Sequence, residues 1–238
     1  MHRIRMIVPV PVPDEALRLF AAQLPAGLVR DDIQVDFVAS GVRPITLDSL
    51  YEMTIADAAV LEAGLSAQKE GYSAVCVNSM SDSGVAGLRS ALTIPVVGPC
   101  QATMLAACLL GKRFSILTMW ERWRPLYDKV ATEQGLNHRM ASVRSIDVPP
   151  DTSELLSGKE DSVFPLLERE ARLALEQDGA DVLILGSTTM YQSHRFLAGR
   201  FPVPVLNPGI ISYKACEALI DLGLSHSKAA YVPPRSML

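Results

Sequence analysis

The sequence predicts an α/β protein of two pseudo-symmetric lobes, each a parallel sheet flanked by helices. Two observations carry this. Strand-length apolar runs alternate with helix-length segments along the chain, the pattern of parallel sheets with helical crossovers. One stretch also occurs twice: Gly71–Ser79 reads GYSAVCVNS and Gly179–Ser187 reads GADVLILGS. The echo continues past the strand, where Ile94-Pro95-Val96-Val97-Gly98 is answered by Val203-Pro204-Val205-Leu206-Asn207 and Ala107-Cys108 by Ala215-Cys216. The offset is 108 residues at Gly71/Gly179, Ser79/Ser187 and Cys108/Cys216, and 109 at Pro95/Pro204. A shared offset over roughly 40 residues reads as a duplicated strand–loop–helix–strand unit. In open parallel sheets small ligands bind beyond the carboxyl ends of the strands, and Ser79 and Ser187 both fall at such ends. The expectation is that these two ends face each other across one active site.

The elements follow in order. Arg5–Val12 reads as a first strand. Pro13-Asp14-Glu15 starts a helix with proline and acids in its first turn, ending near Leu24. Ile33–Ala39 alternates apolar and polar residues as a strand does. Thr46-Leu47-Asp48-Ser49 leads into a long helix reaching Glu70. Then come a strand at Ala74–Val77, a loop from Asn78 to Gly84, a helix near Val85–Leu92 and a strand at Pro95–Val97. Gln101–Leu110 is a helix so rich in Ala and Leu that burial is expected. The second half opens with the strand Phe114–Thr118, an amphipathic helix Glu121–Gln134 stopped by Gly135, and a strand Ala141–Val148. Pro149–Lys159 is the most loop-like segment, and Val163–Gln177 is a helix with charge pairs such as Glu168 and Arg172. The repeat then recurs as strand 181–185, loop 186–190, helix 191–199, strand 203–206 and helix 210–221. Lys228–Tyr231 reads as a last short strand before a loose, Pro-rich tail.

Bulk properties exclude several classes. A chain of 238 residues buries a large core, as one domain or two lobes. A net charge of −4 gives no reason to expect nucleic acid or an anionic membrane as partner. No apolar run approaches the length of a membrane span. Arg3 and Arg5 precede a short apolar run, but Pro9, Pro11 and Pro13 break it and no cleavage pattern follows, so no signal peptide is expected. Four cysteines without metal-like spacing suit free thiols in a reducing cytoplasm. The four histidines are scattered, which argues against zinc.

At several places the residues resemble the aspartate/glutamate racemase superfamily, and within it the hydantoin and allantoin racemases. Ser79-Met80-Ser81-Asp82-Ser83-Gly84, followed by Ile94-Pro95-Val96-Val97-Gly98, resembles that branch's Cys-x-x-Asp-x-Gly and I-P-V-V-G pattern. Ser115-Ile116-Leu117-Thr118 with Arg124-Pro125-Leu126 resembles its second-half opening, and Leu185-Gly186-Ser187-Thr188-Thr189-Met190 its Leu-Gly-Cys-x-x-Met. Ala218-Leu219 through Leu222-Gly223-Leu224 and Ser227-Lys228-Ala229 are similar too. The resemblance implies two related lobes, 1–96 with 208–238 and 97–207, and a cofactor-free site in the cleft between them. It also implies a homo-oligomer. In the family one Cys from each lobe stands on either side of the substrate α-carbon, one removing the proton and the other returning one. Backbone N–H groups at the following helix N-termini would hold the enolate-like oxygen.

Both cysteine positions here carry serine. Anchored on Gly84 the first falls on Ser79, anchored on Asn78-Ser79 it falls on Val77, and the second is Ser187. A thiol titrates near about 8.5, whereas a serine hydroxyl is a far weaker acid and needs a dedicated base. Where the family shows Asn-Pro-Asn-Thr after the first strand, this chain has Pro9-Val10-Pro11-Val12, so a plain hydantoin or allantoin is not the expected substrate. The catalytic candidates are Ser187 and Ser79, each weighed against a helix cap. The substrate-binding candidates are Asn78, Ser81, Thr118, Thr188, Thr189, Tyr51 and Pro9, with Thr118 and Tyr51 placed by the resemblance. Cys100 is weighed as a reactive thiol against core packing, and His194 as a base against a surface helix position; Cys76, Cys108 and Cys216 read as core. The functional expectation is a racemase- or isomerase-like enzyme acting on a small carboxylate or cyclic amide or ureide through an oxyanion-stabilising site. The alternatives are a hydrolase, decarboxylase or lyase using Ser187 or a Cys that Ser187 replaces, and an inactive ligand-binding homologue.

Overall fold

A computed structural model describes residues 1–41, 46–149 and 160–236. Among these the strands form two four-stranded parallel sheets, one in each of two units. The first unit comprises Met1–Pro99 and Ser212–Leu238. Its strands β1 (His2–Val8), β2 (Ile33–Ala39), β3 (Ala74–Val77) and β4 (Val96–Val97) lie in the order β2-β1-β3-β4. Helices α1 (Asp14–Ala21), α2 (Leu50–Leu65) and α3 (Val85–Ala91) make the crossovers. The whole of β3 is buried, as a central parallel strand covered on both faces must be. Val75 and Val77 pack with Ile7, Val60, Leu88 and Val96, each contributing about 1.5–3 kcal/mol by leaving water. A Ser-x-x-Glu box starts α2: Ser49 Oγ accepts from Glu52 N–H, and the Glu52 carboxylate takes hydrogen bonds from Ser49, Asp48 and Thr46.

The second unit, Cys100–Ile211, repeats the plan strand for strand. Helix α4 (Pro99–Leu110) leads into it, and β5 (Phe114–Thr118), β6 (Met140–Ser145), β7 (Val182–Leu185) and β8 (Val205–Leu206) lie in the order β6-β5-β7-β8. Helices α5 (Arg124–Glu133), α6 (Glu160–Glu176) and α7 (Tyr191–Ala198) connect them, and α8 (Pro208–Asp221) carries the chain back to the first unit. The pairing of β1 with β3 ends at Ile7/Val77 and that of β5 with β7 at Leu117/Leu185. The duplication therefore covers all four strands, twice the extent of the echo in the sequence.

Several elements differ from the sequence expectation. Strand β1 starts earlier and stops at Val8, because Pro9, Pro11 and Pro13 have no N–H to donate. Glu121–Trp123 is a 3-10 turn, and the helix proper starts at Arg124 with Pro125 in its first turn. Helix α4 is not buried throughout: Thr103, Met104 and Ala107 face the core while Leu109 is 88% exposed. Lys228–Tyr231 forms turns and not a strand, and it is tied down by side chains. The loop expected at Pro149–Lys159 lies, beyond Pro149, outside the described residues. Among the described residues no helix is long and apolar enough to cross a membrane, and no cluster of His, Cys, Asp and Glu is set to hold a metal ion.

Candidate active site

The loop after β3 leaves the sheet through a tight, hydrogen-bonded turn. Asn78 N–H donates to Ile7 C=O at 2.7 Å, the last ladder bond, and the chain then turns so that Asp82 N–H reaches Ser79 C=O at 3.2 Å. Inside this turn three hydroxyls form a ladder. Ser79 Oγ and Ser81 Oγ share a hydrogen bond at 3.0 Å, and Ser81 Oγ and Ser83 Oγ one at 2.8 Å. The N–H groups of Ser81 and Ser83 point at the preceding serine oxygens, each at 3.3 Å. Ser81 and Ser83 are buried and Ser79 is half-buried, so the ladder opens at Ser79. Asp82 takes φ +48° at the apex, and Gly84 takes φ +67° where α2 passes so close that a Cβ would lie 2.8 Å from Asp57 C=O. Gly84 N–H donates to Asp57 Oδ1 at 2.9 Å, fixing the entry to α3.

The loop after β7 begins in the same way. Gly186 N–H donates to Leu117 C=O at 2.7 Å and Met190 N–H to Ser187 C=O at 3.2 Å. Ser187 Oγ shares a hydrogen bond with Thr189 Oγ1 at 2.8 Å and accepts one from Thr189 N–H at 3.2 Å. Each bond has its counterpart 108 residues earlier, so the serine, the hydroxyl two residues on and the N–H between them recur as one unit. Its support differs. The Tyr127 hydroxyl, fully buried on α5, donates to Gly186 C=O at 2.7 Å. Its single proton being spent there, it accepts from Thr118 Oγ1 at 2.8 Å. A Cβ on Gly186 would sit 2.7 Å from the Tyr127 hydroxyl and 2.9 Å from Leu117 C=O, so only glycine fits. Burial pushes the phenol pKa far above its ordinary value, which keeps it a neutral donor.

The remaining candidates sort by unit. Pro9 is buried just past β1, at the same sheet end as the serine ladder, and Asn78 is buried beside it. Thr188 is buried and Thr189 half-buried in the second loop, and Thr118 commits its proton to Tyr127. Tyr51 stands 71% exposed on the first turn of α2. His194 is engaged with the backbone of β8: its Nε2 lies 3.1 Å from Val205 C=O, and burial lowers its pKa. Neither Ser79 nor Ser187 is hydrogen-bonded to a carboxylate, imidazole or amine among the described residues. Cys100 is fully buried at the start of α4, and Cys76 and Cys216 are buried together in the first unit, where burial and mutual hydrogen bonding raise the Cys216 thiol. The sequence reading missed Tyr127 and Ser83. The signal for Tyr127 was Gly186, a glycine in a strand end where no turn demands one.

Two copies of one parallel α/β unit, each ending its central strand in a hydroxyl-bearing loop, define a duplicated α/β enzyme with its polar groups at the strand ends. The chain belongs to the Asp/Glu/Hydantoin racemase family, whose model matches residues 15–216. It is 26% identical over 199 residues to the hydantoin racemase of Pseudomonas sp. (strain NS671), covering 84% of this chain and 79% of that one. Among solved structures, the allantoin racemase from Klebsiella pneumoniae superposes with a TM-score of 0.89 at 24% identity over 100% of this chain and 95% of that one. The allantoin racemase from Pseudomonas fluorescens gives 0.88 at 27% identity over 99% and 98%. The chain is thus a member of an isomerase-class enzyme family in the hydantoin/allantoin racemase branch.

Proposed function

We propose that the protein is a cofactor-independent isomerase acting on a small cyclic amide, ureide or carboxylate, in which the Ser79 and Ser187 loops stabilise the enolate left by loss of an α-proton. The observation that supports this most is the recurrence of one hydrogen-bonded unit at Ser79–Ser81 and Ser187–Thr189, which stand where the resemblance, anchored on Gly84 in the first loop, puts the family's two cysteines. In each, a backbone N–H aimed at the serine oxygen favours negative charge there, and the hydroxyl two residues on takes up or gives back a proton. A serine without a base is a poor proton acceptor, so turnover should be slow on substrates of low α-acidity. Asn78, Ser81, Thr118, Thr188, Thr189, Pro9 and Tyr51 are proposed to contact substrate. The four free thiols suit a cytoplasmic location, and the exposed Leu105, Leu109 and Leu110 of α4 suit assembly with further copies.

The test is solvent deuterium uptake at the α-carbon of 5-substituted hydantoins, allantoin, aspartate and glutamate. Uptake catalysed by the native chain, and raised in Ser79→Cys/Ser187→Cys, is the expected result. No uptake with any of them, in either protein, would remove the isomerase reading. A second reading, a one-sided decarboxylation or other lyase reaction, has one observation in its favour. The hydroxyl ladder runs on to Ser83 only in the first unit, which suits holding a carboxylate on one side. It predicts CO2 release from malonate-type diacids without uptake into the racemase substrates. The hydrolase reading is weakened because, among the described residues, neither serine is hydrogen-bonded to a base.

A further inference from the structure

We propose that residues 226–232 are a strap that positions the Ser79–Ser83 ladder by holding the far end of α3 and the open edge of β4. The edge of a sheet presents unpaired backbone groups that must be covered. Here side chains cover them. His226 Nε2 accepts the Val96 N–H at 2.7 Å, and Arg89 Nε donates to Val96 C=O at 3.0 Å, so both backbone groups of the first β4 residue are satisfied. Arg89 is itself held by the strap, its Nη1 donating to the Tyr231 hydroxyl at 3.2 Å with the guanidinium 5.6 Å from the ring centroid. Lys228 Nζ donates to Arg89 C=O at 2.6 Å, to Ser90 C=O at 3.1 Å and to Leu92 C=O, filling the orphan carbonyls at the end of α3. Ser90 Oγ donates to Val232 C=O, and His226 meets Tyr231 edge-on at 5.7 Å.

Both held elements lead to the ladder. Helix α3 is seven residues long and starts at Val85, directly after Ser83-Gly84, so fixing its last turn fixes its first. Strand β4 is two residues long and ends at Val97, next to Gly98. A Cβ on Gly98 would lie 2.5 Å from Asp82 Oδ2, so the β4 end presses on the apex of the serine turn. The strap thus acts on the ladder through α3 and β4, and its residues are positioning residues. Among the described residues the second unit shows no such element at the matching edge, where Val205 C=O is met by His194 from its own α7.

The experiment is peptide-level hydrogen exchange over residues 78–84 in the full chain, comparing His226→Phe, His226→Gln and Lys228→Met with the native protein. Phe keeps the aromatic contact and loses the acceptor; Gln keeps an acceptor for Val96. Exchange across 78–84 should rise about ten-fold in His226→Phe and Lys228→Met and stay near native in His226→Gln. A rise confined to Val96 and the strap, with 78–84 unchanged in both, would overturn the proposal, as would equal loss of protection in Gln and Phe. The proposal rests on the functional reading only for its effect on turnover, and deuterium uptake in the same variants separates the two. Faster exchange with unchanged uptake leaves the strap standing and takes the ladder out of the reaction.

Discussion

The loops after β3 and β7 start from the same four hydrogen bonds and are then held by opposite means. In the first unit support comes from polar groups on the backbone: Asp57 on Gly84 N–H, Asp82 beneath Gly98, and a strap of side chains on β4. In the second it comes from one buried phenol that pins Thr118 and Gly186 and leaves no room for a Cβ. The shared part is the hydroxyl-bearing turn at the strand end, which the proposed chemistry would use. The unshared part shows that a duplicated unit keeps its strand-end geometry while its scaffolding is free to diverge.

Four measurements test this contrast. The largest effect is expected from Gly186→Ala, which drives a methyl into Tyr127 and Leu117 C=O and should cost about 3 kcal/mol in urea unfolding. Combining it with Tyr127→Phe should relieve part of that, so the double variant must lose less than the two singles added together. Gly98→Ala in the first unit meets the Asp82 carboxyl group, with Cγ nearest, and because that is a side-chain end and not backbone about 1 kcal/mol is expected. Next is Tyr127→Phe alone, which strands the buried Gly186 carbonyl and should cost about 2 kcal/mol. An unchanged midpoint would show that the phenol ring and not its hydroxyl holds the loop. Third, Ser81→Ala breaks all three bonds of a buried hydroxyl and should cost about 1.5 kcal/mol, against about 0.5 kcal/mol for half-buried Thr189→Ala. Equal losses would mean that the two loops are supported alike.

The smallest effect is a pH dependence. Burial, with Arg89 and then Lys228 nearby, holds the His226 pKa down at about 4. The folded chain therefore refuses a proton that the unfolded chain accepts below about 6.5. Its stabilisation is complete above that pH and is lost progressively as pH falls toward 4. His194 also has a lowered pKa, but its ring donates to a carbonyl, a bond that survives protonation, whereas His226 must stay neutral to accept from Val96. Denaturation midpoints measured from pH 7 to 4 should lose more of their slope in His226→Gln than in His194→Asn.

The strands were legible where periodicity or the internal echo marked them. Ile33–Ala39 and Ala74–Val77 are found as read, the first from alternation and the second from its buried apolar run. Ser79 and Ser187 were legible as strand ends because the chain writes that stretch twice. What failed had a physical cause in each case. Lys228–Tyr231 reads as a strand, but this segment covers a sheet edge with side chains instead of pairing its backbone. The Ala- and Leu-rich α4 has no polar face to reveal that Leu109 points outward. Tyr127 occupies an apolar position of an amphipathic helix and reads as core; its role lies in one hydroxyl whose acceptor is 59 residues away.

The chain order of the two units has a consequence for synthesis. The second unit is written inside the first, between Pro99 and Ser212, and residues 226–232 follow it. On the ribosome β4 emerges early, yet its open edge stays bare until the whole of the second unit and α8 have been made. A nascent chain released or paused in that interval displays an uncovered Val96-Val97 edge, the kind of surface that recruits a second chain. Truncation before His226 should thus reveal itself first as aggregation during expression, before any effect on the folded enzyme is seen.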